Sequence, residues 1–273
     1  MAIIAMSQQV GSRGYDLGRL VAKRLDYRFV SREDLIAQVS RDYNVTPDQL
    51  VVLDERQPHF WSRLKTEGER FASFFRATLL REMAQDRLVT ISPSAPVFLP
   101  PYGCGVKVRT VGPFDERVKS VCELENLTPV ASQRRVREAD REVRARIQTL
   151  MSVDIDDPAY YDLVINGYGA ALEIAAAGLA ACAEQVDARI GAKEWEQMRD
   201  AATAAGVRAA CHAHPKLGHA PIEVLCTKGA VQVRGPGLVP PWDDLANRVA
   251  SKIEGVRSVA VEADATPTPV RPD

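Results

Sequence analysis

The first apolar run of the chain, Ile3 to Met6, is short and uninterrupted, as in a strand covered on both faces. A turn with Gly11, Ser12 and Gly14 follows. Leu17, Leu20, Val21 and Leu25 then recur at helical spacing, with Arg19, Lys23 and Arg24 on other faces. Tyr27 to Val30 reads as a short strand or extended link. Arg32 to Tyr43 reads as a helix, with Ser31 as its N-cap and Asp34 in its first turn. Thr46-Pro47-Asp48-Gln49 looks like another helix start. The stretch from His59 to Asp86 is amphipathic, with Phe60, Leu64, Phe71, Phe74, Phe75, Leu79 and Met83 as its buried stripe.

Leu88 to Ile91 and Val106 to Val111 read as further strands, and Pro113-Phe114-Asp115-Glu116-Arg117 opens a helix to about Asn126. Thr128 to Met151 is a helical stretch, Asp156 to Asn166 a turn and the last core strand, and Ala170 to about Ala188 a closing helix. Beyond a linker near Gly191, the pattern predicts a helix over Glu194 to Ala213, loosened near Gly206. A strand Ile222 to Cys226, a hairpin turn at Lys228-Gly229 and a strand Ala230 to Arg234 come next. Pro241 to Ile253 is helical and Gly255 to Val261 a final strand. From Ala265 on, three prolines mark a disordered tail.

Composition changes this picture little. Over 273 residues the net charge is −1, so no basic field points to nucleic acid. No apolar run approaches the ~18 residues of a membrane helix, and the N-terminal run is too short for a secretory signal. Five cysteines, scattered and odd in number, predict a reduced, cytoplasmic protein. Cys211, His212, His214 and His219 form a local cluster, which reads as solvated histidines in a proline- and glycine-containing loop, and no metal ligand is assigned.

The candidate chemistry sits at both ends of this pattern. Strand, glycine loop and helix is a layout in which N–H groups at a helix N-terminus hold a phosphate; a plain glycine turn accounts for the same residues. Matched to the spacing Gly, four residues, Gly-Lys-Ser/Thr, the first glycine is Gln8, the second Arg13, the lysine Gly14 and the hydroxyl Tyr15. The basic stretch carries Arg134, Arg135, Arg137, Arg141, Arg144 and Arg146. It is either a solvated face laced with Glu138 and Glu142 or a lid that neutralises a transferring phosphoryl group.

Ser7 to Leu20, Tyr27 to Ile36, and the segment Asp156-Asp157-Pro158-Ala159-Tyr160-Tyr161-Asp162-Leu163-Val164-Ile165-Asn166 resemble the cytidylate kinase-like family, a group of P-loop nucleoside monophosphate kinases. The family's loop also lacks the usual lysine. The resemblance implies an α/β fold with a P-loop kinase-type parallel sheet flanked by helices over residues 1–190. It also implies phosphoryl transfer from ATP, with Mg2+, to CMP or a related nucleotide. Gly11, Ser12, Arg13 and Gly14 are expected to bind donor phosphates. Arg13 in the loop, and Arg137, Asp140, Arg141 and Arg144 in the lid, are the expected catalytic residues, with Arg32 on the acceptor side. Where family members carry Gly-Arg-Gly after the central strand, this chain has Ser92, Pro93 and Ser94, and the last lid position is Val143 with Arg144 beside it.

Lys228-Gly229-Ala230-Val231-Gln232-Val233-Arg234-Gly235 and Ile253-Glu254-Gly255-Val256-Arg257-Ser258-Val259 resemble the BON domain, a small non-catalytic α/β module. This implies a second domain over residues 194–264, with a protein or small ligand as its partner, ahead of the 265–273 tail. Two functional expectations result: a cytidylate kinase-like enzyme, or a catalytically degenerate nucleotide sensor coupled to the BON-like module.

Overall fold

The computed structural model describes residues 2–46, 61–169, 171–218 and 220–263, with side chains from residue 68 on in the helix that starts at Trp61. The predicted helix start at Pro47 to Gln49, His59, Phe60, the Leu64 side chain, His219 and the 265–273 tail lie outside the described residues.

Five strands form one parallel sheet: β1 (Ile3–Gln8), β2 (Arg28–Ser31), β3 (Leu88–Ile91), β4 (Gly105–Val111) and β5 (Leu163–Asn166), in the order β2-β3-β1-β4-β5. β1 is central, and Ile3, Ile4, Ala5 and Met6 are fully buried. Successive side chains on a strand point to opposite faces, so β1 feeds two cores. Ile3 and Ala5 join Leu35, Val39, Phe74 and Leu80, from α2 (Arg32–Tyr43) and α3 (Trp61–Met83). Ile4 and Met6 join Leu17, Val21, Ala176 and Leu179, from α1 (Gly14–Leu25) and α7 (Leu172–Asp187). Burial on both faces explains why β1 reads as a continuous apolar run rather than an alternation.

Helix starts follow their capping chemistry. Ser31 Oγ accepts from Asp34 N–H at 3.1 Å while Asp34 Oδ2 accepts from Ser31 N–H at 2.9 Å, a reciprocal box at the head of α2. A single helical turn, α4 (Ala95–Phe98), follows β3. Next come α5 (Phe114–Glu125) and α6 (Pro129–Met151), the latter capped by Thr128 Oγ1 with Pro129 in its first turn.

Beyond α7, α8 (Ala192–Ala213) runs straight through Gly206, contrary to the loosening its glycine suggests. A Cβ there would lie 3.2 Å from Ile253 Cγ2, so the glycine admits a close neighbour instead of ending the helix. β6 (Glu223–Thr227) and β7 (Ala230–Gly235) form an antiparallel hairpin. Its turn, Lys228 at φ 52° and Gly229 at φ 80°, has the positive angles of a tight hairpin. Asp200 of α8 caps that turn, accepting from Lys228 N–H at 2.7 Å and Gly229 N–H at 3.0 Å. After α9 (Trp242–Ala250), β8 (Ser258–Ala263) pairs in parallel with β7. β8 starts later than its pattern suggests, because Gly255 at φ 86° forms a turn against Thr203. Val231, Val233, Ala246 and Ala250 form a separate core with Val207 and Cys211. On its other face α8 sends Met198, Ala205 and Ala209 into the core of the large sheet. One helix thus belongs to both cores.

The Cys211 thiol is pushed up to about 11 by burial, and His212 Nδ1 lies 2.9 Å from Ser73 Oγ. Among the described residues no three histidine, cysteine or carboxylate side chains gather as a metal site, and no helix is long and apolar enough to cross a membrane.

Candidate functional site

The parallel sheet aims the C-terminal ends of β1, β3 and β4 at one edge, on which the chain's direction of travel reverses at β1; such an edge is where open α/β sheets place ligands. There β1 passes into α1 through a tight loop. Gly11 (φ 77°) and Arg13 (φ 63°) are both left-handed, and the back of the loop is fastened at every step. Gln9 N–H donates to Thr110 O at 2.9 Å, Ser12 N–H to Gln9 O at 3.1 Å, and the buried Ser12 Oγ to Thr110 O at 3.0 Å. Tyr168 OH donates to Gly11 O at 2.6 Å. Glycines permit the close approaches: a Cβ on Gly11 would lie 2.6 Å from Arg117 O, and one on Gly167 2.1 Å from Ser12 O. Arg13 is the N-cap of α1 and provides no side-chain cap, so no side chain at that position competes for the orphan N–H groups of the first turn.

In front of the loop lies a cavity of about 360 Å³. Its floor is Gln8, Gly11 and Tyr15; Arg32 and Ser92 line one wall, and α6 supplies Arg135, Glu142 and Arg146 on the other. Tyr15 OH donates to Glu33 Oε2 at 2.7 Å, and burial, then this hydrogen bond, pushes its phenol well above the usual range, so it stays a protonated donor. Ser92 Oγ is buried without a hydrogen-bond partner among the described residues. A smaller cavity of about 70 Å³ adjoins, sharing Arg32, Pro93 and Arg146 and continuing into apolar Ile36, Phe75 and Ile147.

The expected site residues separate into two groups. Gly11 and Arg32 reach the cavity, and Ser12 and Gly14 form the buried body of the loop. Arg13 turns outward, with its guanidinium 5.9 Å from the Tyr168 ring centre and Nε 3.6 Å from Asp16. Arg137, Asp140, Arg141 and Arg144 lie on the opposite face of α6, along an open groove with Phe114 and Asp156. Arg137 stands over Phe114 at 5.0 Å, and Arg144 pairs with Asp154 at 2.8 Å and Asp156 at 3.6 Å. Asp140 holds Arg117 in a two-pronged pair at 2.9 and 2.8 Å. At 100° per residue, positions 135, 139, 142 and 146 share one face and 137, 141, 144 and 148 another.

From the sequence, Arg135 and Arg146 are only members of the basic stretch and Ser92 only a departure from Gly-Arg-Gly; none of them is assigned to the site, nor are Arg117 and Tyr168. A signal for the first two was present: Val136, Ala139 and Ile147 are the buried stripe of α6, and arginines flanking that stripe face inward.

A five-stranded parallel sheet with helices on both faces and a tight glycine-containing loop at the end of its central strand defines a P-loop kinase-type fold. The model of the cytidylate kinase-like family matches residues 3–167, and the chain belongs to that family. No match is found among curated proteins. Of solved structures, an uncharacterized protein from Eubacterium ventriosum is 15% identical, with 69% of this chain and 99% of that one covered at a TM-score of 0.52, a likeness of fold. Shikimate kinase from Acinetobacter baumannii, in complex with shikimate, is 14% identical over 70% of this chain and 96% of its own, at a TM-score of 0.41.

Proposed function

We propose that this member of the family moves a phosphoryl group from ATP to a nucleoside monophosphate such as CMP. The observation that carries the reading is the cavity in which the loop at the end of β1 meets Arg32 on one side and Arg135 and Arg146 on the other. Phosphoryl transfer depends on positioning and charge neutralisation more than on a protein nucleophile. Loop and first-turn N–H groups hold the donor phosphates. Arg32 and Arg146, shared with the adjoining cavity, hold the acceptor phosphate, which the Ser92-Pro93-Ser94 segment has no charge to bind. An acceptor phosphate oxygen attacks the γ-phosphorus, the bond to the β,γ-bridging oxygen breaks, and ADP leaves with that electron pair. Glu33 and Glu142 line the same cavity and would supply oxygen ligands to a magnesium ion, which would offset charge on the bound triphosphate.

A second reading, a nucleotide-binding sensor without turnover, is favoured by the outward position of Arg13, which leaves the loop without the cation its lysine would supply. In that reading residues 194–264 act as the BON-like partner module, and α8, shared by both cores, relays occupancy of the loop.

Titration with ATP, CMP and magnesium, followed by a coupled ADP-release assay, tests both. CMP-dependent turnover is expected, falling on the order of a hundredfold in Arg146→Gln, the typical loss of one charge-stabilising donor, and much less in Arg141→Gln. A larger loss in Arg141→Gln would move the site to the outer groove. Binding without turnover would select the sensor.

A further inference from the structure

A cavity of about 510 Å³ lies away from the loop, between α3, α8 and the edge strand β6. That volume is within the range of small-molecule sites, which favour junctions between substructures. Two arginines face it: Arg76 from α3, at the exposed rim, and Arg208 from α8. Arg208 Nε is buried and has no hydrogen-bond partner among the described residues. Arg76 stands 5.7 Å from the Phe98 ring centre, and neither guanidinium pairs with a carboxylate of the described residues. Two like charges sharing a half-enclosed space repel unless something between them is negative. The lining carboxylates do not fill that role. The Asp200 carboxylate is directed at the Lys228 and Gly229 N–H groups of the hairpin turn and makes no ion pair with either arginine, and Glu69 sits two turns back from Arg76 along α3. The remaining wall is suited to a ring, with Tyr102 on one side and Leu225, 48% exposed, on β6.

We propose that this junction binds a phosphorylated small molecule of nucleotide size, with its phosphate between Arg76 and Arg208 and its ring against Tyr102 and Leu225. Guanidinium forks match phosphate oxygens in geometry and charge. The site is separate from the loop, yet Ala72, Phe98, Leu150 and Met151 line both this cavity and the small apolar one beside Arg32. Occupancy here therefore bears on the wall of the acceptor side.

Hydrogen exchange of the full chain, read by mass spectrometry with AMP and with ribose 5-phosphate as probes, tests the assignment. Both are expected to slow exchange over residues 223–227 and 204–208, with the base of AMP adding to the effect. Arg208→Gln and, independently, Arg76→Gln are expected to weaken this protection on the order of tenfold, the loss of one charge-assisted pair. Protection over residues 9–16, which reports the phosphate loop, is expected to persist in both variants. Protection confined to residues 9–16, none at the junction, or junction protection indifferent to both substitutions would overturn the proposal without touching the kinase reading.

Discussion

Gly167→Ala loses nucleotide binding. The added Cβ would lie 2.1 Å from Ser12 O and 3.2 Å from Ser12 C, both backbone atoms, so no rotamer change relieves the clash. Neither side is free to yield. Gly167 N–H is bonded to Val111 O at 2.9 Å, and Ser12 is fastened to Gln9 and Thr110. Separating the two to a normal contact displaces the loop or the end of β5 by about an ångström, and misplacement on that scale costs on the order of a hundredfold where groups must align. The overpacking itself costs ~1–3 kcal/mol, a fall of several degrees in the unfolding midpoint. Gly178→Ala is the matched control. Nothing lies within 4 Å of its Cβ position in α7, so it is expected to raise the midpoint slightly through helix propensity. Calorimetric titration with ATP and a thermal melt of both variants check the pair. Unaltered ATP affinity in Gly167→Ala would remove the loop as the phosphate site.

What the sequence disclosed, and what it hid, follows from the range of the interactions involved. Local chemistry was legible. Ser31 with Asp34, Thr128 with Pro129, and Lys228-Gly229 each place an element boundary by contacts within a few residues. The apolar run of β1 was legible too, but it stops at Met6, whereas the strand continues through Ser7 and Gln8. Those two polar residues pair with Arg109 and Thr110 of β4, and Arg109 is buried there, paired with Asp156 at 3.1 Å. Long-range pairing of this kind leaves no mark on periodicity. Gly206 read as a break because the residue that packs against it, Ile253, is far along the chain. The arginines of α6 were visible as a group; which of them face the loop depends on the phase of the helix against α5. The position expected to carry a phosphate-binding arginine holds Pro93, and the cations that share both its cavities, Arg32 and Arg146, arrive from other elements.

Asp140 makes that phase a testable matter. The family resemblance assigns it to the catalytic lid, whereas its carboxylate grips Arg117, the latter 5% exposed and the former 33%. This pair, with Val118, Val121 and Val136 beneath it, fastens α6 to α5 and so sets where Arg135 and Arg146 stand. Asp140→Ala leaves a buried guanidinium whose Nη1 keeps only Val10 O, at 3.3 Å, and whose Nε has no partner among the described residues. Breaking a fully buried pair costs ~3–5 kcal/mol; the partial exposure of Asp140 lowers the expectation to about 2 kcal/mol. Turnover is expected to fall with stability, because α6 no longer holds its arginines over the loop. Replacing both partners separates positioning from chemistry. Arg117→Met combined with Asp140→Leu exchanges the ion pair for apolar side chains, a change that is often neutral for stability. If Asp140 acts by holding α6, the double variant regains both the unfolding midpoint and much of the CMP-dependent turnover. A double variant as stable as the parent but still inactive would mean that the Asp140 carboxylate or the Arg117 guanidinium meets the substrate itself, and that α6 closes further over the cavity than its resting contacts suggest.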